Sequence, residues 1–231
     1  MNWTSKIREG SIATARASAK PGPSGANQAS PNSRVSNGLK EFLWMLSDAG
    51  HGRILDLGAV FQSTIMFFIE KGFRLSTEDL LRAWKEFLTA EEENLRRARI
   101  GDESTNVSQG MLAGKFLDTA LQYPDENFNG VLIWDLFDYL DAELVPRVMD
   151  KVYAMVKPGG AVLASFHSRA PERFHRYKVV DSQTIEVLPS PTITVHARVF
   201  QNREILEIFG KFRTSKTFVG RDQVREALFL K

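Results

Sequence analysis

The chain has 231 residues with no cysteine and four histidines, and 43% of it is apolar and 25% charged; this excludes disulfides and thiolate metal centres and suits an ordinary globular protein. The net charge of +2 is unevenly spread: residues 1–40 hold six Lys/Arg against Glu9, while the other 24 basic and 27 acidic residues leave a mildly acidic body, which argues against a dedicated nucleic-acid binder. No apolar run nears the ~20 residues of a membrane span and no signal-peptide core is seen, so a cytoplasmic location is expected.

Residues 1–36 are rich in Ser, Ala, Pro, Gly and Asn, with almost no large apolar side chain after Ile12. Burial cannot offset the entropy of ordering such a segment, so a disordered basic tail is predicted. Its Arg/Ser-rich, acid-poor composition is also that of transit peptides. A folded domain is expected over 37–231.

Asn37 is placed to cap a helix with the stripe Leu39, Phe42, Leu43 and Leu46, ended by Gly50 and Gly52. Arg53–Leu57 reads as a strand. A helix over Thr64–Lys71, capped by Ser63, leads to a second strand at Phe73–Thr77. Leu80, Leu81, Trp84, Phe87 and Leu88 mark a third helix, and residues 99–112 read as a loop. Phe116–Tyr123 is assigned to a weak strand and Val131–Trp134 to a buried one. Asp141 is placed to cap a helix that Lys157-Pro158-Gly159-Gly160 stops before a strand at Ala161–Phe166. Tyr177–Val180 and Thr184–Leu188 alternate around a polar turn, predicting a hairpin insertion near 176–198. A last helix opens at Asn202, and Phe212–Val219 and Val224–Leu230 are two antiparallel final strands. Strands alternating with helices imply an α/β fold, a mostly parallel sheet with helices on both faces.

Arg53-Ile54-Leu55-Asp56-Leu57-Gly58 is an apolar run ending in a turn glycine, and Asp79 follows Gly58 by 21 residues, beside Glu78. This is the layout of a β-α-β unit that cradles a nucleotide: the chain turns tightly, a helix start faces the ligand, and a carboxylate at the next strand tip accepts from a ribose diol.

Four pieces in order, over about residues 38–231, resemble the class I S-adenosylmethionine-dependent methyltransferases. They are Arg53–Gly58, Phe73–Asp79, Tyr123–Leu132 (Tyr-Pro-Asp-Glu-Asn-Phe-Asn-Gly-Val-Leu) and Met155–Leu163 (Met-Val-Lys-Pro-Gly-Gly-Ala-Val-Leu). The resemblance implies a Rossmann-like seven-stranded sheet with an antiparallel last strand. It also implies S-adenosylmethionine as cofactor and a small-molecule methyl acceptor.

Carried over to this chain, the resemblance places Asp56 near the cofactor's ammonium group and lets Gly58 and Ala59 approach it closely. Glu78 or Asp79 takes the ribose, Asp118 lies beside the adenine, and Trp134 packs on the cofactor. The chain departs at Val60 and Gln62, where the family usually carries glycines, and Val60 and Phe61 add bulk where the methionine end would lie. Asp135 and His167, after the fourth and fifth strands, are the candidate general bases. His175 is a further histidine in that loop, and Arg169, Arg173 and Arg176 are candidate anion readers.

Each of these residues also has a purely structural role available: backbone acceptor, turn glycine, helix-start acid, core indole or loop histidine. Two other functions share the pattern. One is a non-catalytic methyltransferase-fold binding or scaffold protein that has lost the cofactor. The other is a nicotinamide-dependent oxidoreductase, for which the G-x-G-x-x-G loop is missing.

Overall fold

In the computed structural model, the residues described are 32–47, 50–98, 108–190, 197–220 and 222–231, the side chains of 98, 214 and 215 excepted. A six-stranded sheet runs in the order β3-β2-β4-β5-β9-β8. Its strands are β2 (Arg53–Asp56), β3 (Arg74–Thr77), β4 (Phe128–Trp134), β5 (Val156–His167), β8 (Arg213–Val219) and β9 (Val224–Leu230). β3, β2, β4 and β5 are parallel, and β9 lies antiparallel between β5 and β8. A second sheet, β1-β7-β6, is formed by β1 (Ser33–Val35), β6 (Phe174–Val179) and β7 (Thr184–Ser190), all antiparallel.

The period of two along the central strands divides the core. Leu55, Val131, Ile133 and Val162 face one layer, with α3 (Leu80–Ala98), α4 (Gln109–Leu117), α5 (Leu144–Met155) and α6 (Asn202–Ile208). Ile54, Leu132, Trp134 and Leu163 face the other, with α1 (Asn37–Met45), α2 (Gln62–Glu70) and strand β6. Continuous apolar runs in β4 and β5 are what a sheet covered on both faces requires. Gly130 lets α1 come down onto the sheet, since a Cβ there would lie 2.5 Å from Phe42 Cζ.

Several expectations are corrected. Phe116–Tyr123 is not a strand: Ser108 Oγ accepts from Met111 N–H, and Ala113, Phe116 and Leu117 bury one face of α4, Phe116 against Trp84. Spacing of three and four residues beats the weak alternation there. The sheet has six strands among the described residues, not seven. Of the loop expected at 99–112, residues 99–107 lie outside the described residues, and Gln109–Leu112 are helical.

Ser36, not Asn37, caps α1, its Oγ accepting from Leu39 N–H. Helix α2 starts at Gln62 behind Phe61 with no side-chain cap, so Ser63 has no such role. Asp141 closes the turn before α5 with its carbonyl, while its carboxylate accepts from Trp84 Nε1 at 2.8 Å. The Lys157–Gly160 turn is a bulge within β5, because Val156 pairs with Phe128 and Ala161 already pairs with Gly130.

Residues 1–31 of the expected tail, and 191–196 of the expected insertion, lie outside the described residues. Ser33–Val35, assigned to the tail, belong to the fold. The buried Glu226 carboxylate on β9 accepts from Arg34 Nη2 (2.8 Å), Ser36 Oγ (2.6 Å) and Gly38 N–H (2.8 Å). Composition weighs a segment by its apolar content and cannot register an anchor 190 residues away.

Candidate functional site

At the carboxyl ends of β2 and β4 the sheet opens a crevice, the place where open α/β sheets bind ligands. Asp56 ends β2 and is buried. Its Oδ1 accepts from Gly58 N–H (2.9 Å) and from Trp134 Nε1 (2.8 Å). Burial pushes its pKa up to about 6, against the pull of these two donors. Trp134 ends β4 at φ +54°, a left-handed conformation that turns the chain there. Its indole lies over the loop, and a Cβ on Gly58 would sit 2.6 Å from Trp134 Cδ1. Gly58 is therefore required by an indole of the same chain.

Tyr177 on β6 covers a face of that indole, the rings stacked at 5.3 Å and 4°. The hairpin is seated on α2 by Val179 N–H donating to Thr64 Oγ1 at 3.0 Å. The Arg176 guanidinium stands 5.5 Å over the Phe61 ring. What remains of the crevice, lined by Gly58, Ala59, Asp79, Trp134, Phe174 and Tyr177 among others, is about 20 Å³. Val60 and Phe61 do not close it: Val60 is 54% exposed and Phe61 lies beneath Arg176.

The two carboxylates beyond β3 diverge. Asp79 lines the crevice, where burial raises its pKa, and its Oδ1 accepts from Arg82 N–H. Glu78 turns away, its Oε1 accepting from Leu121 N–H at 3.0 Å; it is spent on the chain's own backbone. Asp118 is not brought to the crevice. It is the exposed C-cap of α4, in a separate surface cleft with Arg147, Asp150 and Lys151, because the segment is helical.

Asp135 and His167 do meet. Asp135 Oδ2 accepts from the Tyr177 hydroxyl at 2.9 Å and lies 3.7 Å from His167 Nδ1. Asp138 is the partner that sequence reasoning missed. Its Oδ2 accepts from both His167 N–H (2.8 Å) and His167 Nδ1 (2.9 Å), which leaves Nε2 as the free ring atom. The Asp135–Asp138 spacing of three residues, one turn of the 3₁₀ segment Leu136–Tyr139, is the signal that could have found it.

Burial raises Asp135 to about 7, against the His167 charge and the Tyr177 hydroxyl, and it raises Asp138 too. Burial pulls His167 down, but the Asp138 hydrogen bond and the two carboxylate charges outweigh it and raise the ring above its ordinary value. His175, 6.3 Å from His167 between centroids, is lowered by burial and by the charges of His167 and Arg173. Chemically the cluster can hold and pass protons. No group of three or more His, Asp or Glu side chains is placed to hold a metal ion among the described residues, and none of their helices is long and apolar enough to cross a membrane.

No protein-family model matches the chain, and no curated protein matches its sequence. Solved structures that match it include S-adenosylmethionine-dependent methyltransferases. One from Mesorhizobium loti is 15% identical, covering 83% of this chain and 96% of its own, with a TM-score of 0.49. The 1,6-didemethyltoxoflavin-N1-methyltransferase of Burkholderia thailandensis, solved with 1,6-didemethyltoxoflavin and S-adenosylhomocysteine, is 14% identical over 85% and 79%, with a TM-score of 0.46. A glycopeptide N-methyltransferase complexed with S-adenosyl-L-methionine is 14% identical over 91% and 99%, with a TM-score of 0.43. What gives this chain the Rossmann-like α/β architecture is its own sheet order, four parallel strands and an inserted antiparallel β9.

The residues of the crevice do not fit S-adenosylmethionine in this conformation. Small-molecule sites run from about 300 to 1,000 Å³, whereas the 20 Å³ here holds about one water. The Asp56 oxygen that faces the loop is already engaged by Trp134 and Gly58.

Proposed function

We propose that this chain is a methyltransferase-fold binding protein whose cofactor crevice is filled by its own side chains. The observation that carries this reading is the Trp134 indole, held on Asp56 at 2.8 Å and stacked on Tyr177. It takes both the space and one carboxylate oxygen, Asp56 Oδ1, that the methionine end of a cofactor would use. A loop of glycines lets a ligand approach the backbone; here the one glycine kept, Gly58, admits the indole instead. Titration calorimetry with S-adenosylhomocysteine tests the reading. Silence at micromolar ligand is expected, and saturable heat overturns it.

A second reading, a methyltransferase acting on a small-molecule acceptor, draws on one observation. Asp79 still lines the crevice with a single backbone donor as partner, as a ribose-binding carboxylate would before its ligand arrives. The plugging Tyr177 belongs to a separate sheet seated on α2, so displacing that hairpin would open the crevice. Calorimetry of Tyr177→Ala discriminates. Binding gained by this variant supports a gated enzyme, and continued silence supports the binding protein.

A further inference from the structure

A second hollow, of about 700 Å³, lies beside the filled crevice, with His175 and Tyr177 lining both. It sits between the two sheets: one side is the end of β5 with the 222–224 turn, and the other is the face of β1, β6 and β7. Its size is that of a small-molecule site.

The charges around it are sorted. Arg34 is neutralised by Asp222 (3.3 Å) and Glu226 (2.8 Å). Glu172 is an exposed carboxylate of the lining. Arg169 and Arg173 also line the hollow and have no ion pair among the described residues. At its floor His167 is held through Nδ1 by Asp138, so its Nε2 is the atom left for an occupant. Buried polar atoms next to the floor, Asp138 Oδ1 and His175 Nδ1, have no hydrogen-bond partner among the described residues. Unpaired buried polar groups are costly, and a polar occupant or its water relieves them.

We propose that this hollow is a binding site for a small anion, a phosphate or carboxylate compound. Arg169 and Arg173 receive its charge and His167 Nε2 bonds a polar group beyond it. Guanidinium forks suit both kinds of oxyanion. The site goes beyond the function proposed above and does not depend on it, because Tyr177 separates the hollow from the crevice.

The test is titration of the full chain with inorganic phosphate and, separately, with citrate at constant ionic strength, followed by calorimetry and by ¹⁵N signals of the His167 ring. Saturation by phosphate assigns a phosphoryl ligand and saturation by citrate a carboxylate; either moves the His167 Nε2 signal. Arg169→Ala/Arg173→Ala, both exposed and so compatible with folding, weakens the binding by about tenfold or more. No saturation by either anion up to about 10 mM overturns the proposal, as does binding that the double variant leaves unchanged. Because neither probe is an adenosine compound, failure here is distinct from a positive S-adenosylhomocysteine titration.

Discussion

The Tyr177 ring lies parallel to the Trp134 indole, at 5.3 Å and 4°, and its hydroxyl reaches Asp135 Oδ2 at 2.9 Å. One side chain from the hairpin thus both caps the crevice and satisfies a buried carboxylate of β4's trailing turn. Stacking of this kind adds about 0.5–1.5 kcal/mol beyond the area buried.

Tyr177→Ala removes a fully packed ring and a side-chain donor to Asp135. A loss of about 3–5 kcal/mol is expected. Tyr177→Phe keeps the stack and loses one hydrogen bond, costing about 1–2 kcal/mol. Urea denaturation measures both. Equal costs would show that the hydroxyl, and not the ring, carries the whole effect.

Gly58→Ala drives a methyl group against Trp134 Cδ1. The indole must shift, and its bond to Asp56 with it, at about 1–3 kcal/mol. Urea midpoints and Trp134 fluorescence report this without any ligand present. A variant as stable as the parent, with unaltered emission, contradicts the packing described.

Stability should rise as pH falls from about 8 to about 5. Asp56 goes from an ordinary 3.8 to about 6 on folding, so the folded state holds the extra proton between these values. Stability is then lost as pH rises through that window. Asp135, raised to about 7, acts in the same direction. His167, raised above 6.5, adds stability that is full below 6.5 and lost as pH climbs through its folded value. Asp56→Asn keeps an acceptor for Gly58 and Trp134 and carries no charge, so it flattens the slope and gains stability at pH 8. Denaturation curves across pH decide; a steeper slope in Asp56→Asn contradicts the assignment.

Glu226→Ala leaves Arg34, Ser36 Oγ and Gly38 N–H without their shared acceptor. Breaking such a buried pair costs about 3–5 kcal/mol. Amide exchange should speed up across β1 and the start of α1 before it does in β4. Uniform acceleration would mean that the carboxylate anchors no particular segment.

Hydrophobic periodicity is enough to locate the strands Arg53–Asp56 and Arg74–Thr77, the buried β4 and β5, and the closing antiparallel pair. These depend on local pattern, whose period of 2 or 3.6 sets which side chains leave the water. Asp56, Gly58, Ala59, Asp79, Trp134, Asp135 and His167 come from strand ends and adjoining loops, so the topology gathers them at the carboxyl ends of the parallel strands. What folding alone settles is which of them still face a ligand. Glu78 is drawn to Leu121, 43 residues on, Asp118 is carried off by a helix, and Tyr177 arrives from a hairpin to stack on Trp134. Contacts across such separations leave no period in the chain, because packing between layers, and not local propensity, sets them.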